Sequence, residues 1–223
     1  MTDADGQLSA TPRTSLRRMK EKGHRDRAAL FDVLRAGFVC HLGLVDGHPM
    51  VVPTVYGFDD RHLYLHGSVA SRSLTTDTDV CVTVTVVDGL VLARSVFEHG
   101  VNYRSAMIYG RPRWVTGTEE KLHGLRLLTE HVAPGQWDHA RRPNRRELAA
   151  TALLALPLAE ASVKTRSGPP DDGDSPDAAL GLWAGELPLV ARWEQPVTDP
   201  ALPPTAPVPA HVAARAGTRA DRR

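Results

Sequence analysis

Cysteine is nearly absent: Cys40 and Cys81 are the only two in 223 residues. Two thiols cannot build a disulfide scaffold or a four-thiolate zinc site, and each sits in an apolar run that a small hydrophobe suits. Both read as reduced and buried. No stretch approaches the ~20 consecutive apolar residues of a membrane span, and the polar start, Met1 to Ala10, has no apolar core of a signal peptide. The expectation is a cytoplasmic protein without a membrane partner. An excess of one charge is also missing, because 27 Lys and Arg face 26 Asp and Glu. That balance argues against a dedicated nucleic-acid binder and for small molecules or other proteins as partners.

The usual catalytic signatures are missing too. There is no Gly-x-x-x-x-Gly-Lys, no Gly-x-Gly-x-x-Gly after a strand, no Gly-x-Ser-x-Gly and no His-Glu-x-x-His, which removes the P-loop, dinucleotide-fold, hydrolase and zincin readings. Asp171-Asp-Gly-Asp174-Ser-Pro-Asp177 has the look of a calcium loop, but Pro176 and the missing downstream Glu break the ligand pattern, leaving a solvated turn. The ten histidines are scattered. His41 and His62 lie in strand text, where structural histidines are the rule, so no metal site is expected, although a single haem-ligating histidine stays open. The basic stretches at Arg13–Arg27 and Arg141–Arg146 read as solvated helical faces.

What is present is a compact middle between ragged ends. Residues 1–12 lack periodic apolar positions, and residues 196–223 are rich in Pro, Ala and Arg, so both ends are expected to be disordered or extended around a domain at 13–195. Asp26 can cap a helix with Leu30, Phe31 and Leu34 on one face, ending at Gly37 in the left-handed region. The period then changes to that of strands. Phe38–Val45 and the segment through Val55 flank Asp46-Gly47 as a hairpin with a two-residue type I′ turn. His62–His66 and Val80–Val87 follow, Asp88-Gly89 signals a turn into Leu90–Glu98, and Met107–Val115 continues the sheet. Thr118 opens a helix, Asn144 with Glu147 forms a capping box for another, and two last strands fall within Leu153–Thr165 and Leu180–Trp193. Pro157 marks an edge or a bulge. Strands joined by tight turns, with few and peripheral helices, predict a mainly β, antiparallel barrel or sandwich rather than a doubly wound α/β fold.

The segment His66-Gly67-Ser68-Val69-Ala70-Ser71-Arg72-Ser73-Leu74 carries chemistry. A strand end followed by Gly, Ser and Arg offers backbone N–H groups, hydroxyls and one guanidinium to a phosphomonoester. The alternative is a polar turn into a short helix capped by Ser71.

In chain order these residues resemble the pyridoxamine 5′-phosphate oxidase-like FMN-binding split barrels, in the branch of nitroimidazole-reductase-like proteins. Gly47-His-Pro49-Met-Val-Val-Pro53-Thr54-Val-Tyr56 is similar to the family's second strand, which runs along the flavin. Ser71-Arg72 resembles its Ser-Arg-Lys phosphate grip, with Ser73 in place of the Lys, and His66, Gly67 and Ser68 fall where further phosphate contacts lie. Tyr103-Arg104-Ser105-Ala-Met-Ile-Tyr-Gly110-Arg111 resembles the strand that approaches the flavin from the neighbouring subunit, with Ser105 at the contact. Leu182-Trp183-Ala184-Gly185 is similar to the strand whose Trp lies beside the isoalloxazine, and Arg192 matches the basic residue that follows. The resemblance spans roughly residues 25–195 and implies a split barrel, FMN as cofactor, a homodimer with the cofactor at its interface, and hydride transfer through flavin N5 to or from a small molecule.

The departures are specific. The Arg-x-x-x-x-Lys and Arg-x-His of the true oxidase are replaced by Val51-Val-Pro-Thr-Val-Tyr56 and Leu187-Pro188-Leu189, which argues against vitamin B6 as substrate. For Trp183 the competing reading is a core or interface residue. Lys164 and Arg166 alternate at strand spacing and can face the flavin N1 region, receive an anionic substrate, or line a solvated edge. Three classes follow: an FMN-dependent oxidoreductase, a flavin or haem carrier or sensor, and a deazaflavin-dependent reductase. No residue stands out as a general acid or base.

Overall fold

The computed structural model describes residues 6–71, 78–203 and 205–221. In chain order the elements are β1 (Gly23–His24), α1 (Arg27–Ala36), β2 (Val39–Asp46), β3 (His48–Phe58), β4 (His62–Ser68), β5 (Val80–Leu92), β6 (Gly100–Gly110), β7 (Arg113–Trp114), α2 (Thr118–Val132), α3 (Gln136–His139), α4 (Arg145–Ala150), β8 (Thr151–Pro157), β9 (Ala161–Arg166), β10 (Gly185–Pro188) and α5 (Ala210–Ala213). The strands form one antiparallel sheet in the order β1-β9-β6-β5-β2-β3-β4-β8-β7, with β10 added on β5. Tyr109 N–H donates to Glu160 O (2.8 Å), extending the β6–β9 ladder into the β8–β9 turn, which links strands from opposite ends of this order.

The period-2 alternation of the strands builds the inside. Cys40 and Leu42 of β2, Val82 and Val84 of β5, Ala106 and Ile108 of β6, and Val163 of β9 point inward with Leu30 and Leu34 of α1 and are buried. A second, smaller cluster on the outside of β4 and β8 holds Tyr64, Leu153 and Ala155 under Leu128 of α2. The helix lies close because β3 presents Gly57 to it: a Cβ there would stand 2.4 Å from Leu128 N.

Local chemistry explains the helix ends. Asp26 accepts from Ala29 N–H (2.7 Å) at the start of α1, and Asn144 and Glu147 close a reciprocal capping box on α4. Gly37 is extended (φ −94°) and not left-handed. It is glycine because a Cβ would fall 2.7 Å from Val84 Cγ1. The Tyr56 hydroxyl lies 2.8 Å from Leu34 O and 2.9 Å from Gly37 O, pinning the end of α1 to the barrel.

Other expectations are corrected. Asp46 pairs with His48, so the first hairpin turns on Gly47 alone (φ +71°) and not on a two-residue pair. Asp88-Gly89 is not a turn: β5 runs through it with a bulge between Val87 and Gly89, and the chain reverses only between β5 and β6. Asp88 is there to take both Nε and Nη2 of Arg104 (2.9 and 2.7 Å). Gly89 admits β10, because a Cβ would meet Leu187 O at 2.7 Å.

The two ends also carry structure that their composition did not announce. Leu8 is buried in the core, its N–H donating to Arg25 O (2.7 Å). Beyond residue 204, Arg215 stacks on Trp193 (4.1 Å) and donates to Val132 O (2.6 Å), while Trp193 and Gly217 exchange backbone bonds with Thr218 and Trp193. A few specific contacts thus dock a segment that has little apolar surface to bury.

Candidate functional site: a split between two strands

The ladder between β3 and β4 consists of three pairs, Tyr56 with Leu65, Gly57 with Tyr64 and Phe58 with Leu63. Upstream of Tyr56, β3 pairs with β2. Beyond Leu65, β4 pairs with β8, as His66 with Leu153, Gly67 with Ala152 and Ser68 with Thr151. The two strands therefore part company after three rungs, and among the described residues no ladder joins their facing edges at 53–55 and 66–68. Pro53 and Thr54 flank this opening on one side and His66, Gly67 and Ser68 on the other.

His66 is the most informative of these side chains. Its Nδ1 is buried and has no hydrogen-bond partner among the described residues. Burial pushes its pKa below the ordinary value, so the imidazole is neutral. A buried polar atom left unpaired is costly, and at a functional site it marks a place for something else to bind. Past the strand end, Ser68 O accepts from Ser71 N–H (2.9 Å) and Ser68 Oγ from Ala70 N–H (3.2 Å), a tight turn at the mouth of the opening. Arg72 lies outside the described residues.

Alternation separates Pro53 from Thr54. Thr54 pairs with buried Cys40 and points inward, whereas Pro53, His41, Thr83, Met107 and Ser162 are successive partners across the sheet and face outward. Ser105 and Lys164 are paired on this same outer face, with Thr85 beside them. The face is largely bare, with Val39, Val45, Val51, Val87 and Met107 exposed. Pro53, Ser105 and Lys164 therefore share one face of the sheet, with β2 and β5 lying between Pro53 and Ser105. The other residues lie apart from it in the single chain. Trp183 is 68% exposed, its ring held over Gly185, and Arg192 is exposed and bridged to Arg219.

Arg166 turns away from Lys164. Its Nη1 donates to Asn102 Oδ1 (2.6 Å) and it lines a cavity of about 740 Å³ with Asp32, Arg35, Asp88, Arg104 and Glu186. Asp32 pairs with Arg35 (3.2 Å) and Asp88 with Arg104 (2.7 Å), whereas Arg166 and Glu186 meet through Asn102. Arg104 holds Asp88, and behind it Asp221 is held by Arg219 (2.8 Å). Sequence reasoning missed Asn102, Asp88 and Glu186. The one available signal was a buried-strand position, Asn102, occupied by an amide.

Comparison with known proteins gives this arrangement a lineage. A family model described as pyridoxamine 5′-phosphate oxidase matches residues 26–165. The chain belongs to the pyridoxamine 5′-phosphate oxidase family. Among solved structures it is similar to the flavocytochrome Anf3 from Azotobacter vinelandii, with 34% identity and a TM-score of 0.86 over 94% of this chain and 100% of that one. It is similar to the FAD and heme binding protein from Mycobacterium smegmatis, with 36% identity and a TM-score of 0.84 over 90% and 100%. A candidate 5-nitroimidazole antibiotic resistance protein from Bacteroides thetaiotaomicron shares the fold at 22% identity and a TM-score of 0.54, over 64% and 85%. No curated protein matches. As a pyridoxamine 5′-phosphate oxidase family member the chain has the antiparallel split barrel that its motifs implied. Among the described residues no helix is long and apolar enough to cross a membrane.

Proposed function

We propose that this protein is a redox flavoprotein that holds a flavin nucleotide and a haem at the β3–β4 opening and works as a homodimer on a small molecule. The observation that carries the reading is likeness over nine-tenths or more of the chain to two proteins, one described as a flavocytochrome and the other as binding FAD and heme. The resemblance of the motifs implied FMN; the second likeness puts FAD beside it as the nucleotide to test.

The residues fit these groups. The neutral imidazole of His66, with a buried nitrogen that has no partner among the described residues, is the chemistry of an iron ligand. Ser68, Ser71 and Arg72 supply the hydroxyls and guanidinium for a phosphate, and the open edges of β3 and β4 supply backbone groups for a planar ring. A bound flavin supplies hydride chemistry at N5, and a haem passes single electrons. Lys164 and Ser105 share the exposed outer face, where a cation favours a reduced, anionic ring. A second copy packed on this face would cover its exposed valines.

The test is spectroscopic. The purified protein is expected to show flavin absorption and a Soret band, and heat-released nucleotide is expected to co-elute with FAD or FMN. His66→Ala is expected to lose the Soret band and keep the flavin. A colourless protein that binds only a deazaflavin overturns the proposal, as does a Soret band that survives in His66→Ala.

A further inference from the structure

Asn102 is a buried amide, 5% exposed, on a strand whose neighbours are otherwise apolar or surface-facing. Both ends of it are used. Its Oδ1 accepts from Arg166 Nη1 (2.6 Å), and its Nδ2 donates to Glu186 Oε2 (2.6 Å) and to Gly168 O (3.2 Å). Arg166 closes β9 and is itself tied to the carbonyls of Gly168 and Pro169. Glu186 lies on β10, which pairs with β5 over only four residues. The amide thus ties the end of β9 to the four-residue β10.

What β10 carries is Trp183. Gly185, the first residue of β10, underlies the indole so closely that a Cβ would fall 2.9 Å from its Cζ2. A tryptophan that is two-thirds exposed and yet has a fixed backbone beneath it is a presented surface. We infer that Asn102 is a positioning residue: through Glu186 it fixes β10, and through β10 it fixes the Trp183 ring that walls the flavin. The second half of this chain rests on the proposed function; the first half does not.

Charge chemistry gives a clean way to break the link. In Asn102→Asp the guanidinium of Arg166 keeps an acceptor, so the β9 side is preserved, while a carboxylate now faces the carboxylate of Glu186. The two bonds that Nδ2 donates, to Glu186 Oε2 and to Gly168 O, are lost, while Arg166 keeps its acceptor. In Asn102→Asp/Glu186→Gln the amide has changed places, and a donor again meets an acceptor.

The experiment is hydrogen exchange over residues 182–189 and the flavin absorption envelope, both on the protein as purified. Asn102→Asp is expected to exchange about tenfold or more faster in that segment, the effect of losing one charge-assisted bond, and to alter the flavin envelope. The double variant is expected to restore both. Unchanged exchange in Asn102→Asp, or no rescue in the double variant, overturns the anchor. Faster exchange with an unaltered flavin envelope overturns the link to the ring. If the protein carries no flavin, the proposed function fails while the exchange data still decide the anchor.

Discussion

Replacing Gly57 by alanine is a sharp test of how the outer layer is assembled. The added Cβ would stand 2.4 Å from Leu128 N, 2.6 Å from Leu127 C and 2.8 Å from Leu128 Cα. All three are backbone atoms, so no side-chain rotation relieves the clash, and α2 has to retreat by ~1 Å to reach ordinary contact distances. That retreat loosens Leu128 from Tyr64, Leu153 and Ala155 beneath it. Overpacking costs about 1–3 kcal/mol where neighbours can adjust; against a helix backbone the upper end, about 3 kcal/mol, is expected. For a chain of this size each kcal/mol moves Tm by roughly 2–4 °C, so thermal unfolding should fall by about 6–12 °C. Gly117→Ser is the control on the same helix. Gly117 is the uncapped N-terminal residue of α2, with nothing within 4 Å of an added Cβ, and serine should stabilise by a few tenths of a kcal/mol. A Gly57→Ala protein that melts within a degree or so of wild type would refute the close packing of α2 on β3.

Tyr56→Phe is expected to cost about 1–3 kcal/mol in denaturant unfolding, because the buried Leu34 carbonyl at the end of α1 loses the hydroxyl, while Gly37 O keeps His131 Nε2 (2.8 Å); a neutral result would mean that α1 is not pinned there. His66 gives a pH signature. Its folded pKa lies below the ordinary value of about 6.5, so as pH falls through that value the unfolded chain takes up the proton first and stability drops. His66→Phe should lose less stability than wild type between about pH 7 and pH 5, and parallel acid profiles would contradict the buried, neutral assignment. Arg72→Ala should weaken flavin binding by about 1.5–3 kcal/mol in equilibrium titration, the worth of a charge-assisted bond; unchanged affinity removes the phosphate grip.

The parts of this molecule legible in its sequence are those decided within a few residues. The Asp26 cap, the Asn144–Glu147 box and the alternation of Val80–Val87 are local rules obeyed locally. The misread places answer to distant partners. Asp88-Gly89 has the chemistry of a turn, but Arg104 claims the carboxylate and the backbone of β10 claims the space above the glycine. Gly37 does cap α1, its N–H donating to Val33 O, but its backbone is extended and not left-handed, and Val84 across the barrel is what forbids a side chain. The same holds for the site. Motif order pointed to Pro53, Thr54 and His66–Ser68, but only the pairing pattern shows that Pro53 and Thr54 face opposite ways and that Arg166 is spent on Asn102.

The hairpin of β2 and β3 is stitched to the remainder of the sheet by three rungs on each flank, to β4 on one side and to β5 on the other. Mechanically it is a tongue hung between two short hinges. Whatever molecule wedges beside it acts as mortar for both the pocket and the wall, so cargo and scaffold should harden together. The amides of 51–55, Pro53 excepted, and of 66–68 that point away from β2 and β8 would then report loading directly.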